Sequence, residues 1–363
     1  MGAHFQSTVC LAGLDTACLS PAQASLDTAE ACRAHQAWAE QCLHLLAGQG
    51  TPARAVAHDA HPDFPATQMA QTLACAHGMA TLAVQHHHAH LAAAWAEHAA
   101  LEGPPRLLGL AMDGFGLGSD QQAWGGELLH LDGPHAHRLG HVSPLAMPGG
   151  DAVTREPWRL AVAALHHMGR RSQALRHAES HAPPGMAEPL LQLLRHPRHS
   201  PPTTSLGRWF EAAASLLGLC HTPSHPAQAA QALEAAALRH GTHAPLAQGW
   251  HILAPDGALQ TLDLSPLLAH LADAPDPQAG AACFHATVIE ALAEWLASMA
   301  HAMNIPTVAL AGGCLHNRLL REGLVQRLTA SGLRCLIPIR LPPGDMAIAY
   351  GQVVVARLVL AYH

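Results

Sequence analysis

Lysine is absent from this chain of 363 residues: all 19 cationic side chains are arginine, and the formal net charge is −7. Without lysine there is no Walker-type phosphate loop and no protein-kinase nucleotide site, since both place a lysine on the phosphates. Any nucleotide must be held by arginine, backbone amides and metal. The acidic balance is also a poor footing for tracking nucleic-acid phosphates, so no nucleic-acid partner is expected. Cys-x-x-Cys pairs are missing too. The nine cysteines (Cys10, Cys18, Cys32, Cys42, Cys75, Cys220, Cys283, Cys314, Cys335) are scattered and odd in number, which excludes zinc ribbons and points to a reduced, cytoplasmic protein. Apolar stretches are broken by His, Gln, Glu or Arg before they reach the ~20 residues that span a bilayer. Met1-Gly2-Ala3-His4-Phe5-Gln6 lacks the basic and long apolar segments of a signal peptide. Neither membrane nor export is expected.

Histidine, by contrast, is abundant, at 31 residues. His86 and His90, four apart, leave one face of a helix and can converge on a divalent metal. The same spacing recurs at His137/His141, His177/His181 and His221/His225, so spacing alone selects none of them. What distinguishes His86/His90 is the setting: a short apolar run before it, an Ala-rich helical stretch after it, and downstream Asp113-Gly114-Phe115-Gly116. An Asp opening a Gly-rich turn adds a hard oxygen ligand beside backbone N–H groups free to face a phosphate.

A chain of this length is expected to form two lobes. Residues 1–102 read as an α/β lobe, with a strand at Thr8 to Ala12, a helix at Thr28 to Leu46, a strand at Ala53 to His58 and a helix at His87 to His98. The strand-end sequence Ala57-His58-Asp59-Ala60-His61-Pro62-Asp63 reads either as a polar loop with Asp59 capping a turn or as part of a site lining. Residues 103–363 repeat the α/β pattern: an apolar run Leu107 to Met112, a glycine turn, then a strand from Ala123 to Leu129. A mainly helical insertion occupies about 151–245, broken at Pro183-Pro184 and Pro201-Pro202. A helix Ala286 to Met303 leads to the strand Thr307 to Ala311, which meets a further helix through Gly312-Gly313, a backbone geometry suited to close approach of a ligand. In Leu341-Pro342-Pro343-Gly344-Asp345, Asp345 taken alone reads most simply as a helix N-cap.

Taken in order, these segments resemble the transferase portion of HypF, the carbamoyltransferase family that helps make the cyanide ligands of nickel-iron hydrogenases. The resemblance runs from Gly2 to Gln352 through His58 to Pro62, Gln85 to His90, Asp113 to Gly116, Trp124-Gly125-Gly126-Glu127, Arg155 to Arg159, Ser205-Leu206-Gly207-Arg208, Phe284-His285, Gly312-Gly313 with Asn317, and Pro342 to Asp345. It implies an α/β, actin/Hsp70-like (ASKHA) two-lobed fold with RNase H-like lobes. It also assigns His86, His90, Asp113 and Asp345 as catalytic residues and metal ligands, which shifts the reading of Asp345 from cap to ligand. Two imidazoles and two carboxylates suit Fe or Zn, with Mg possible. Gly114, Gly116, Gly125, Gly126, Glu127, Gly207, Arg208, Glu211, Gly312, Gly313 and Asn317 are implied around the nucleotide, with His285 a weaker candidate. The implied activity takes carbamoyl adenylate, built from ATP and carrying AMP as leaving group, and passes the carbamoyl group to the C-terminal cysteine of a HypE-like protein; the acceptor thiol belongs to the partner.

The chain departs from the family in several places. Nothing in it matches the acylphosphatase-like, zinc-finger and YrdC-like portions, so a separate YrdC-containing protein is expected to supply the adenylate. Gln6 stands where relatives carry Lys, Ala22-Gln23-Ala24-Ser25 replaces His-Ile-Gly-Asp, Pro226-Ala227 replaces Glu-Gly, and Glu211 replaces Asp. These departures leave a second expectation open: a degenerate paralogue that binds nucleotide or HypE without turnover. A TsaD-like transferase acting on tRNA shares the His-x-x-x-His pair, but Trp124 to Glu127, His58 to Pro62 and the lysine-free composition argue against it.

Overall fold

The computed structural model describes the chain apart from residues 14–15, 99–103, 256–257 and 363. The expected lobe boundary between 102 and 103 lies outside the described residues. Among those described, nine strands form one central sheet. Its spine is the long strand Arg106–Leu117, antiparallel to Ala123–Asp132, which is antiparallel to His135–Val142. The second hairpin closes through Gly133-Pro134: φ is +56° at Gly133, and the proline ring fixes the next φ near −65°, the combination of a type II′ turn. On the other side, Thr307–Ala311 runs parallel to the long strand, and Arg334–Leu336 parallel to that. Gln260–Asp263 and His251–Leu253 extend the opposite edge.

Alternation along the long strand builds a layer on each face. Leu108, Leu110 and Met112 point into a core shared with the helices Trp158–His167, Leu206–Leu216, Gln228–His240 and Pro277–Ala302. Leu107 and Ala111 point the other way, onto Leu91 and Ala94 of the helix His86–Ala96, as the two-residue period of a strand requires. That histidine helix is nearly all buried because a second helix, Ile348–Tyr362, covers its far side: Ala89 and Ala92 pack with Ile348, Val354 and Val355. Close approach on both sides needs small residues. A Cβ on Gly109 would lie 2.6 Å from the Leu91 methyls, and one on Gly351 only 1.8 Å from the Ala89 carbonyl oxygen.

The segments before residue 99 pack on this C-terminal helix. The Gly2 N–H donates to Gln352 Oε1 (2.9 Å), and Gln352 Nε2 donates back to the Gly2 carbonyl (3.0 Å). Ala55–Asp59 and Ala80–Val84 pair in parallel, Phe5–Ser7 pairs with Gln23–Ser25, and Cys10–Ala12 with Ala17–Leu19. The expected strand and helices here are present with shifted ends.

Two expectations are corrected. Asp113-Gly114-Phe115-Gly116 is not a turn between two strands. It runs inside the long strand, where the register jumps from Met112 opposite Gly126 to Gly116 opposite Trp124. Residues 113–115 thus bulge out against Gly125 alone, and such a bulge re-aims a side chain. The helix expected to begin at Ala286 begins at Pro277, because Asp276 caps it by accepting from the Gln278 N–H and proline occupies its first turn. The break expected at Pro201-Pro202 stands between the helices Ala187–Leu193 and Leu206–Leu216, and there Pro202 opens the short strand Pro202–Thr203, which pairs with Leu145–Ala146 and touches Ala123; proline is tolerated on such an edge.

Candidate metal and phosphate site

Four side chains from three separate elements meet where the histidine helix begins. His86 Nε2 lies 3.3 Å from Asp113 Oδ2 and 3.7 Å from Asp345 Oδ1. His90 Nε2 lies 3.2 and 3.6 Å from the same two oxygens. One ligand atom from each residue lies within 4.8 Å of all the others. The helix supplies both imidazoles on one face, Asp113 comes from the bulge, and Asp345 from the 3-10 turn Asp345–Ala347 ahead of the C-terminal helix.

Local chemistry holds each element in place. Gln85 caps the histidine helix, its side chain accepting from the His88 N–H. Gly116 lets the strand pass that helix, since a Cβ there would meet the His86 and His87 side chains below 3 Å. Gly312 sits at φ +102° with a would-be Cβ 2.3 Å from the Met112 carbonyl oxygen, so only glycine fits. Its N–H donates to the Pro343 carbonyl (3.1 Å), and the Thr8 hydroxyl donates to the Met346 carbonyl (3.1 Å), fixing the turn that carries Asp345. The Gly313 N–H donates to Asp113 Oδ1 (3.1 Å) and the Ser205 hydroxyl to the Asp113 carbonyl (2.9 Å). Asp113 Oδ2 is thereby left to face the histidines.

Burial alone would lower His86, but the charge of Asp59 and hydrogen bonds to Asp113 and Asp345 outweigh it and hold the imidazole well above its ordinary value. His90 is raised by Asp113 and Asp345 against the same burial. Both aspartates, which burial would raise, are held low by the two histidines, Asp113 well below the carboxylate range. At these distances a protonated imidazole offsets a carboxylate. A dication does the same task with the protons released. The donor set and its convergence fit a divalent metal, and Asp345, one-fifth exposed where the others are under a tenth, marks the side open to solvent.

Asp59 is the residue that sequence reasoning left undecided. It is fully buried, accepts from His86 Nδ1–H at 2.7 Å and also from the His61 N–H at 2.9 Å. Both readings of the His58 to Pro62 segment therefore hold. Its bond fixes the tautomer that leaves His86 Nε2 toward the carboxylates.

The structure gathers Gly114, Gly207, Arg208, Gly312 and Gly313 around Asp113. A Cβ on Gly207 would lie 3.1 Å from Gly114 Cα, and one on Gly114 lies 3.7 Å from Arg208 Nη2. Glu211 pairs with Arg208 (2.7 Å) and keeps Oε2 buried without a partner among the described residues; burial pushes it up to about 7 despite Arg208. Other residues implied around the nucleotide are engaged elsewhere. Glu127 is fully buried, its oxygens taken by the N–H groups of Gly125 and Gly126, by the Thr204 hydroxyl and by Arg138 Nε at 2.7 Å. Gly125 and Gly126 serve close packing against Asp113 and Thr204. Asn317 caps the helix Arg318–Ala330 through Oδ1 and donates to His285 Nε2 at 2.9 Å. Cys314 lies close to Asp113, and burial keeps its thiol protonated, as it pushes Cys10 and Cys335 up to about 12.

Of the four equally spaced histidine pairs, only two lie on helices. His137 and His141 lie on a strand, where four residues span roughly 13 Å, too far for one ion. His221 and His225 lie in a loop.

The α/β architecture thus sets a His-His-Asp-Asp cluster between the central sheet and the C-terminal helix. Residues 1–97 match the family model described as HypF Kae1-like domain, and residues 109–352 match that of the carbamoyltransferase Kae1-like domain, second subdomain. The chain belongs to the HypF carbamoyltransferase family. It is 41% identical to carbamoyltransferase HypF2 of Cupriavidus necator over 98% of its own length and 46% of that protein. It is 40% identical to a carbamoyltransferase HypF homolog of the same organism over 98% of its length and 90% of that protein. Among solved structures, full-length HypF in a phosphate- and nucleotide-bound form superposes with a TM-score of 0.87 at 26% identity, covering 99% of this chain and 46% of that one. The chain thus spans about half the length of the larger relatives it matches.

Proposed function

We propose that the chain is a carbamoyltransferase of nickel-iron hydrogenase maturation that moves a carbamoyl group from carbamoyl adenylate to the C-terminal cysteine of a HypE-like protein. A separate YrdC-containing protein supplies the adenylate, and the chain works in the cytoplasm. The convergence of His86, His90, Asp113 and Asp345 carries this reading. The two layers flanking the sheet are read as an actin/Hsp70-like fold with RNase H-like lobes, divided near 102/103.

In the transfer, the acceptor thiolate attacks the carbamoyl carbon, a C–S bond forms, the bond from that carbon to the phosphate oxygen breaks, and AMP leaves with the electron pair; the thiol proton is lost to solvent. His86, His90, Asp113 and Asp345 would hold Fe or Zn, or Mg, and such an ion would supply Lewis acidity toward the adenylate phosphate. Asp59 orients His86, the Gly313 N–H orients Asp113, and the small surfaces of Gly114, Gly207, Gly312 and Gly313 admit the phosphate and nucleoside close to backbone. Arg208 is the cation nearest this surface, and Glu211 beside it meets the nucleoside. The raised thiols of this chain take no part.

Incubating the protein with carbamoyl adenylate and a HypE-type acceptor and weighing the acceptor by mass spectrometry tests the reading. A mass gain of one carbamoyl group is expected, and an unchanged acceptor with nucleotide still bound would leave the degenerate paralogue. Gln6 is the observation that favours that second reading: its Oε1 lies 3.5 Å from where a Gly344 Cβ would be, at the mouth beside Asp345, a position where the family resemblance implies a lysine. Asp59→Asn supplies a finer check. Loss of the charge that holds His86 should weaken metal binding about 10–100-fold with the fold retained, read by competition with a chelating dye; unchanged affinity would reduce Asp59 to a turn residue.

A further inference from the structure

We propose that His177, His181 and His221 form a second metal site, for Zn2+ or a similar borderline first-row ion such as Ni2+ or Cu2+, inside the helical insertion. The proposal stands apart from carbamoyl transfer and uses none of its residues. His177 and His181 lie one turn apart at the end of the helix Arg171–His181, and His221 comes from the segment after the helix Leu206–Leu216. One ligand atom from each lies within 4.8 Å of the other two. The rings are in mutual contact, with centroids 4.8 Å apart for His177/His181, 5.5 Å for His177/His221 and 3.7 Å for His181/His221.

Three imidazoles this close cannot all be charged. Burial lowers all three, His177 to about 4 with help from its two neighbours, so at neutral pH they present lone pairs. The hydroxyl of Ser215, fully buried, lies 3.1 Å from His177 Nε2 and 3.0 Å from His221 Nδ1. With two lone pairs it can accept an N–H from each ring, leaving the opposite nitrogen of each free, as ligand histidines are usually held. His181 makes no hydrogen bond among the described residues, so neither of its nitrogens is committed.

The trio contains no carboxylate, which separates it from the His86 site: an all-imidazole set suits Zn, Ni or Cu and is a poor host for Mg2+ or Ca2+. Three protein ligands leave a fourth tetrahedral position for water. A cavity of about 270 Å³, lined in part by Gln173, Arg176 and Ser180, borders the trio at His177. An ion here ties the helix Arg171–His181 to the segment after the helix Leu206–Leu216 and so stabilises the insertion.

The test is equilibrium dialysis of the metal-free full-length chain against Zn2+, comparing wild type, His181→Ala, His221→Ala and His199→Ala, with Co2+ substitution to read coordination. His181→Ala and His221→Ala should each lose one equivalent of tight Zn2+, with binding at that site at least ~100-fold weaker, together with the intense visible absorption of tetrahedral Co2+ and the Zn2+-induced rise in thermal midpoint. His199→Ala should lose none of these. Unchanged stoichiometry in both variants, or the same loss in His199→Ala, would overturn the proposal and leave only scattered surface binding. Unchanged circular dichroism of the metal-free variants guards against misfolding, since His181 is only partly buried.

Discussion

His86→Ala should strip the site at the start of the histidine helix of its divalent ion and lower carbamoyl transfer by more than about 1000-fold, whereas His137→Ala should do neither. The size follows from what is lost: a ligand to an ion that supplies several kcal/mol of charge stabilisation, at about 1.4 kcal/mol per factor of ten. His137 is exposed on a strand and has nothing to converge on. Metal content read by elemental analysis in a His181→Ala background isolates this site from the one in the insertion. Removing His86 also leaves Asp59 buried with only the His61 N–H as partner, and an ionised carboxylate stranded in this way costs about 3–5 kcal/mol. Asp345→Asn therefore accompanies it, because Asp345 is one-fifth exposed and its buried partners His86 and His90 keep Asp113 when its charge is lost. Equal metal retention in His86→Ala, Asp345→Asn and His137→Ala would remove the site.

Gly351→Ala should destabilise the protein by about 3 kcal/mol and weaken the same metal site from outside it. Alanine normally gains about 1 kcal/mol over glycine inside a helix, so the expected sign is set by the crossing. The added Cβ would sit 1.8 Å from the Ala89 carbonyl oxygen and 2.6 Å from its carbon, backbone atoms that no side-chain rotation can move. The histidine helix or the C-terminal helix must shift by more than an ångström, and those helices carry, or directly follow, all the ligands except Asp113. Gly48→Ala is the matched control: it ends a helix with nothing within 4 Å of the new methyl and should be neutral or slightly stabilising. Urea midpoints for both variants decide the matter. A Gly351→Ala protein as stable as Gly48→Ala would show that the two helices have room to spare.

Legibility varied with how local the cause was. The strand Thr307 to Ala311 coincides with its sequence reading to the residue, because a buried parallel strand is a short apolar run and here Pro306 and Gly312 bound it. The long helix was read late, since Asp276-Pro277 is a cap whose meaning depends on the helix that follows. The bulge at Asp113 could not be read from its own residues: it exists because Gly125 on the neighbouring strand and Gly207 on a helix leave space for displaced backbone. The resemblance implied Glu127 around the nucleotide, yet its partners Thr204 and Arg138, on other elements, take up its oxygens.

Composition and local pattern were enough to set the limits of the chemistry: a lysine-free α/β chain in which any phosphate would have to be held by arginine, amides and metal, and His-x-x-x-His pairs able to take an ion where they fall on helices. The setting of His86/His90 favoured that pair, but only the tertiary structure brings its carboxylates to it, for a physical reason. Spacing places two imidazoles on one face, but a hard-ligand site needs carboxylates brought in from elements remote in sequence, and only the packing of the bulged strand and the C-terminal helix against His86–Ala96 brings Asp113 and Asp345 to one of them.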